Sequence, residues 1–460
     1  MKRRRFLAGS GAVVAGAVLG GIAAGPARAA DLTLTAQPAR HALNGIVTED
    51  MFSYDPGIAP PVIWMKQGQR FITDLVNGLN EPTTIHWHGM RVPILMDGVP
   101  YLAQDPVPPG GAFRYDFVPQ DAGTFWYHPH CNTLDQMARG LTGIVVVQEA
   151  VDPGFDLDLP LNLRDFRLDG DNQFIEFFKA RNSARAGTLG TVMTTNWQVS
   201  PIYDLPAGGL VRLRIVATDT TRVYKLQLPE AECRIIALDG QPVPEPFDWP
   251  VNAAPLLLGP GQRVDIALRM LENEGATYTL YSEVPGGLQV LAQFRAKGVS
   301  LGRELGEIAP LPANPIAEPD LANAERLNFL FGWSPEGVAP QPSICGTLGY
   351  TFWSINRVAF AGEFPDPFAP LAVLERGKSY ILRLQNETQN DHPIHLHGMT
   401  FRVLTSDMRQ VVQVMSDTVL LRSKEVVEVA LVADNPGDWM FHCHVIEHQK
   451  TGLAGYLRVL

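Results

Sequence analysis

Four His-x-His pairs punctuate this chain: His86 and His88, His128 and His130, His395 and His397, His442 and His444. On an extended strand, residues i and i+2 project to one side. Each pair can therefore turn two imidazoles toward one cavity, although the two need not bind one metal. Neutral imidazoles suit copper, zinc or iron. With His392 and His448 added, the clusters hold ten of the 11 histidines. Only His41 stands apart, as an ordinary surface or hydrogen-bonding residue. A mononuclear zinc centre takes three or four ligands, so a zinc hydrolase fits this set poorly. Buried structural histidines would account for one such pair. They do not account for four, drawn from two distant regions, with a cysteine inside one of them.

That cysteine is Cys443, in H-C-H-V-I-E-H from His442 to His448. His392, Cys443 and His448 offer two imidazoles and one thiolate, the trigonal donor set of a blue-copper electron-transfer site. Cys443 lies between His442 and His444. If those two bind other metals, its backbone joins the sites covalently.

These side chains need strands to hold them, and strand signals dominate. The runs 31–37, 62–79, 112–117 and 143–147 alternate or are β-branched, with P-P-G-G and D-A-G turns between them. Further candidates are 210–216, 222–228, 234–238, 263–268 and 277–281, then 379–385, 401–405, 426–432 and 439–442. This is the grammar of β-sandwiches. Three domains are expected: 31–152, 153–309 and 322–460, with a Pro/Ala-rich linker at 310–321. The first and third share a rhythm. D-A-G-T-F-W-Y-H at 121–128 matches N-P-G-D-W-M-F-H at 435–442, and I-H-W-H-G at 85–89 matches I-H-L-H-G at 394–398. No histidine lies between His130 and His392, so the middle domain reads as a spacer.

Composition bounds the rest. The chain has 460 residues, is 46% hydrophobic and carries a formal net charge of -11, which argues against a nucleic-acid partner. Residues 1–30 read as a signal peptide, with a basic head at Lys2–Arg5 and a small-x-small site at Ala27–Ala29. Arg3, Arg4, Phe6 and Leu7 resemble a twin-arginine signal, which implies a bacterial protein passed to the export machinery and a periplasmic or secreted location. No later apolar run reaches about 18 residues, so no stable membrane insertion of the mature chain is expected. Cys131, Cys233 and Cys345 remain besides Cys443. Three pairings are open; Cys233 with Cys345 is preferred, leaving Cys131 as a buried free thiol.

Taken in order, the histidine motifs resemble those of bacterial three-domain multicopper oxidases of the laccase group. H-W-H-G at 86–89 and G-T-F-W-Y-H-P-H at 123–130 add to the match. The resemblance spans essentially the whole mature chain and is weakest in the middle domain. It implies an all-β fold of three cupredoxin-like Greek-key β-sandwich domains and four copper ions. His392, Cys443 and His448 would hold a type 1 copper. His86 and His395 would hold a type 2 copper. His88, His128 and His444 would hold one type 3 copper, and His130, His397 and His442 the other. The implied activity couples four one-electron oxidations to reduction of O2 to water, with Cys443 linking the type 1 site to the cluster. Asp97, in M-D-G at 96–98, matches the acid that assists proton delivery near the type 2 copper; the alternative is an Asp-Gly turn, since that dipeptide is a frequent turn signal.

Two departures stand out. Many bacterial relatives carry glutamate directly after the last type 1 histidine, where this chain has Gln449, which cannot donate a proton as an acid. Glu447 precedes His448 and would share a face with Gln449 only if the chain stays extended. The axial methionine often found ten residues after the cysteine is here Leu453, which cannot coordinate; this implies a raised type 1 potential. For substrates, phenols and aromatic amines compete with Cu(I), the substrate of periplasmic cuprous oxidases. The 12 methionines are dispersed, with Met399, Met408, Met415 and Met440 in the third domain and Met440 assigned to the core. A non-enzymatic electron-transfer, copper-storage or scaffold protein is the alternative outside catalysis. Loss of an electron by an organic substrate needs an accessible edge of His448 or His392 more than a shaped pocket.

Overall fold

The computed structural model describes residues 29–55, 60–249, 254–364 and 369–460. The expected leader lies, up to residue 28, outside the described residues. Six sheets pack into three sandwiches. In the first, a sheet of Ile46–Ser53, Leu32–Leu43, Phe71–Asn77 and Ala112–Phe117 faces one of Val62–Lys66, Gly143–Gln148, Gly123–His128 and His86–His88. Trp87, Tyr115, Phe117 and Tyr127 fill the space between them. The middle and third sandwiches each pair a six-stranded with a five-stranded sheet around their own buried apolar cluster. These are cupredoxin-type sandwiches.

Several sequence expectations are redrawn. The run 62–79 is two strands, Val62–Lys66 and Phe71–Asn77, in different sheets, because the Gln67-Gly68-Gln69 turn breaks it. The first strand runs on to Leu43 and hairpins back through Ile46–Ser53. The segment after Cys443 is not extended: Ile446–Lys450 is a short helix carrying His448 and Gln449. The proposed linker contains no strand but is tied down, since Asn314 bonds Ala122 of the first sandwich and Gln241 of the second.

The disulfide expectation is overturned. Cys131 bonds Cys345, closing a separation of 214 residues and joining the first and third sandwiches. Cys233 is a free thiol buried in the core of the middle sandwich, donating to the Trp249 carbonyl at 3.0 Å. The partner choice follows from packing: the loop after His130 meets the 340s loop, where Asn132 N–H donates to the Cys345 carbonyl. His41 is half-buried with its ring edge-on to Trp197 at 5.5 Å. Among the described residues, no helix is long and apolar enough to cross a membrane.

Candidate metal centre

Two antiparallel pairings bring the His-x-His motifs together. His86–His88 pairs with Gly123–His128, setting His86 opposite His128. His392–Leu396 pairs with Gly437–Cys443, setting His395 opposite His442. The first and third sandwiches then meet at these strands. His88, His128 and His444 offer ring nitrogens within 4.8 Å of one another, and so do His130, His397 and His442. His86, His88 and His395 form a third such group, and His392, Cys443 and His448 a separate fourth. All ten histidines and Cys443 are buried.

Hydrogen bonds decide which nitrogen of each ring is free. A carbonyl only accepts, so a ring nitrogen facing one carries the hydrogen and leaves the other bare. His86 Nδ1 donates to the Asp97 carbonyl at 2.9 Å and His395 Nδ1 to the Asp417 carbonyl at 3.0 Å. Their bare Nε2 atoms face each other at 3.4 Å. His397 Nδ1 donates to Asp97 Oδ2 and His442 Nδ1 to the Cys443 carbonyl, both at 2.9 Å, and their Nε2 atoms stand 3.0 Å apart. His88 is reversed: its Nε2 faces Asp417 Oδ1 at 3.2 Å and its Nδ1 has no partner. His128 Nε2 and both ring nitrogens of His130 and His444 are likewise unpartnered.

Facing lone pairs repel unless a cation lies between or beside them. Protons do not serve well here. Burial first, then the charge of neighbouring imidazoles, holds His88, His130, His397 and His444 well below the ordinary histidine range. A buried set of neutral, aimed imidazoles is the donor chemistry of a multinuclear metal site. The fourth group, His392, Cys443 and His448, fits copper too. His448 Nε2 donates to the Arg185 carbonyl at 2.7 Å, and His392 Nε2 lies 2.9 Å from the Thr388 hydroxyl. Their Nδ1 atoms face Cys443 Sγ at 3.5 Å each. Burial lowers His448 to about 3 and pushes the Cys443 thiol up, so a metal is needed to hold the thiolate.

Sequence profiles of the multicopper oxidases match residues 35–152 and 341–460. A multicopper oxidase structure from Pseudomonas thermotolerans is 41% identical, with a TM-score of 0.83 over 94% of this chain and 100% of that one. The chain belongs to the multicopper oxidases. Multicopper oxidase MmcO of Mycobacterium tuberculosis is 28% identical over 93% of this chain and 86% of its own. Laccase-1 of Cryptococcus neoformans var. neoformans is 25% identical over 88% and 75%.

What surrounds the donors of this multicopper oxidase was less legible. Asp97 closes a 3-10 turn, Ile94–Met96, beneath His86. Gly98 there has φ 83°, and a Cβ would come within 1.8 Å of the Ile85 carbonyl, so only glycine lets the carboxylate sit this close. Asp417, Arg263 and Gly261 belong to no metal motif. Arg263 grips Asp417 through both carboxylate oxygens at 2.8 and 2.6 Å. Gly261, with φ 87°, would put a Cβ 2.9 Å from the His444 ring and 3.0 Å from that of His88. The middle domain is therefore more than a spacer. Glu447 turns away from the copper donors: its carboxylate accepts from Thr188 N–H at 2.7 Å, and burial raises its pKa to about 7. Gln449 is buried with its Oε1 unpartnered. Leu453 is buried in the apolar cluster that includes Cys443, and its carbonyl accepts from Cys443 N–H at 3.0 Å.

Proposed function

We propose that this multicopper oxidase is laccase-like, taking electrons singly from phenols or aromatic amines and passing four to O2. The observation that carries the reading is the complete donor set: eleven side chains in four convergent groups. On this reading His392, Cys443 and His448 hold a type 1 copper, and His86 with His395 a type 2 copper. His88, His128 and His444 hold one type 3 copper; His130, His397 and His442 hold the other. Bound there, copper would supply one-electron acceptance at the thiolate site and four-electron reduction of O2 to water at the cluster.

The chain's own residues hold the donors still and handle protons. Asp97 accepts from His397 Nδ1 with its carboxylate and from His86 Nδ1 with its carbonyl, so both Nε2 atoms point inward. That position, buried between the two rings, suits it to pass protons into the cluster. Cys443 lies on the backbone between His442 and His444, a covalent link of one residue to each type 3 group.

The methionines favour an organic reductant over Cu(I). Met399 and Met440 are buried in separate apolar clusters, Met415 is half-buried in a short strand, and Met408 lies exposed on a loop. Dispersed over separate cores, a strand and a loop, they read as core filling more than as a metal relay. Export to an oxidising compartment fits the Cys131–Cys345 bridge. Side-by-side steady-state kinetics with a dimethoxyphenol and with Cu(I), following O2 consumption, test the reading. Faster turnover of the phenol is expected, and much faster turnover of Cu(I) overturns the preference.

A further inference from the structure

An outer-sphere reductant needs a way to the type 1 donors, and neither imidazole offers one directly. His392 and His448 are both 0% exposed. The turn of the middle domain that carries the Ser183 and Arg185 carbonyls lies over this side of the site. Arg185 caps His448 Nε2, and Ser183 accepts from Trp353 Nε1 at 2.9 Å. Trp353 reaches both rings, with centroids 5.2 Å from His392 and 4.8 Å from His448. It is fully buried, yet it stacks on Trp333 at 4.3 Å with only 16° between planes. The two are direct cross-strand partners on Trp353–Ile355 and Glu325–Trp333. Trp333 is 46% exposed. A continuous pair of indoles thus runs from solvent to the two histidines that would hold the type 1 copper.

We propose that Trp333 is the docking face for a planar aromatic reductant, and that the Trp333–Trp353 stack carries its electron to the His392–Cys443–His448 site. This deepens the laccase-like reading and rests on it. A phenol resting on Trp333 loses one electron and one proton, becoming a phenoxyl radical. The proton leaves to water, and the electron crosses the indole pair toward His392, Cys443 and His448, where a bound cupric ion would accept it and become cuprous. Four such transfers match the reduction of one O2. Stacking of a substrate ring on an exposed indole also selects flat, electron-rich reductants without a deep pocket.

The test compares wild type with Trp333→Leu and Trp333→Phe, using Trp64→Leu as control because Trp64 is similarly exposed, at 45%, on the first sandwich. Two readouts are taken with one dimethoxyphenol. One is the anaerobic rate at which it bleaches the thiolate–copper absorption of the loaded protein. The other is its binding to the copper-free full chain by saturation-transfer NMR. Trp333→Leu should slow bleaching and weaken binding by about fivefold or more, the worth of an aromatic stack, with the potential of the site unchanged. Trp333→Phe should recover part of both, and Trp64→Leu should change neither. If the wild type oxidises the phenol and Trp333→Leu bleaches and binds as wild type does, the docking proposal falls alone. If the wild type fails to oxidise phenols at all, the substrate reading falls and takes the proposal with it.

Discussion

Replacing Arg263 with methionine should destabilise this protein more than loss of any surface ion pair. The guanidinium is completely buried and bonds all three sandwiches. Its Nε donates to the Thr124 carbonyl at 3.1 Å in the first, its Nη atoms to the Gly261 and Asp239 carbonyls in its own, and both Nη atoms to Asp417 in the third. Burial pushes the Asp417 carboxyl up, but the charge and hydrogen bonds of Arg263, joined by His395, outweigh it and hold that group below the usual range. Methionine fills similar volume and leaves Asp417 charged and buried. Breaking one side of a buried pair costs about 3–5 kcal/mol. At roughly 2 °C per kcal/mol for a chain of this size, the apparent Tm should fall by about 6–10 °C. Calorimetry on the copper-free chain is the assay, because bound metal would add its own stabilisation. A second change, Asp417→Asn, should be less harmful in the Arg263→Met background than alone, since it removes the stranded charge. A fall of less than about 2 °C, or strict additivity in the double variant, would refute the clamp.

Burial, helped by the Asp417 charge, raises Asp239 to about 6 despite Arg263. Because that folded value exceeds the unfolded one, stability from this group is full below about pH 4 and is lost as pH rises through 6. Asp239→Asn should thus gain Tm relative to wild type across that window, and a pH-independent difference would contradict it. Leu453→Met places a thioether in the apolar cluster beside Cys443, where it could serve a bound copper as a weak further ligand, and should lower the reduction potential in a titration of the thiolate–copper band; an equal or higher value counts against it. Gln449→Glu places a titratable acid beside His448 and should change the pH profile of O2 reduction, whereas superimposable profiles remove that residue from proton delivery. Cys131→Ser opens the bridge between the first and third sandwiches and should cost about 3 kcal/mol in thermal unfolding of the copper-free chain, with no loss expected in reductant-treated wild type if the bridge never forms.

The donors were legible because their chemistry is local. An H-x-H on a strand carries its meaning in two residues, and four repeats leave little else to explain. Gly-aromatic-His turns at 123–128 and 437–442 likewise announce one strand type twice. Asp417, Arg263 and Trp353 carried no such mark. Asp417 earns its role by its carbonyl and carboxylate reaching rings 22 residues and further away in the chain. Arg263 looks like any strand arginine until three sandwiches close over it. The disulfide failed for the same reason: Cys131 and Cys345 are 214 residues apart, and only the docking of two domains brings their loops together. The helix at Ile446–Lys450 was hidden by its length, since five residues show no 3.6 period.

The middle sandwich changes most in meaning between sequence and structure. It has no histidine, yet it reaches His88, His444 and His448 directly, and His395 through Asp417. Gly261 packs on the His88 and His444 rings, and Arg263 fixes the carboxylate that faces His88 and His395. The Thr220 carbonyl accepts from Ile446 N–H, Thr188 holds Glu447, and the Arg185 carbonyl sets the tautomer of His448. A ligand set split between two domains can only be as rigid as the interface that joins them. Here the Cys131–Cys345 bridge joins the two directly, and a third body adds backbone groups, the Thr188 hydroxyl and the Arg263 guanidinium rather than ligands. Such contacts orient donors without competing for metal, because a hydrogen-bonding carbonyl fixes a ring nitrogen and leaves its partner free. The absence of histidine from residues 131–391 is therefore consistent with a domain built to aim the site.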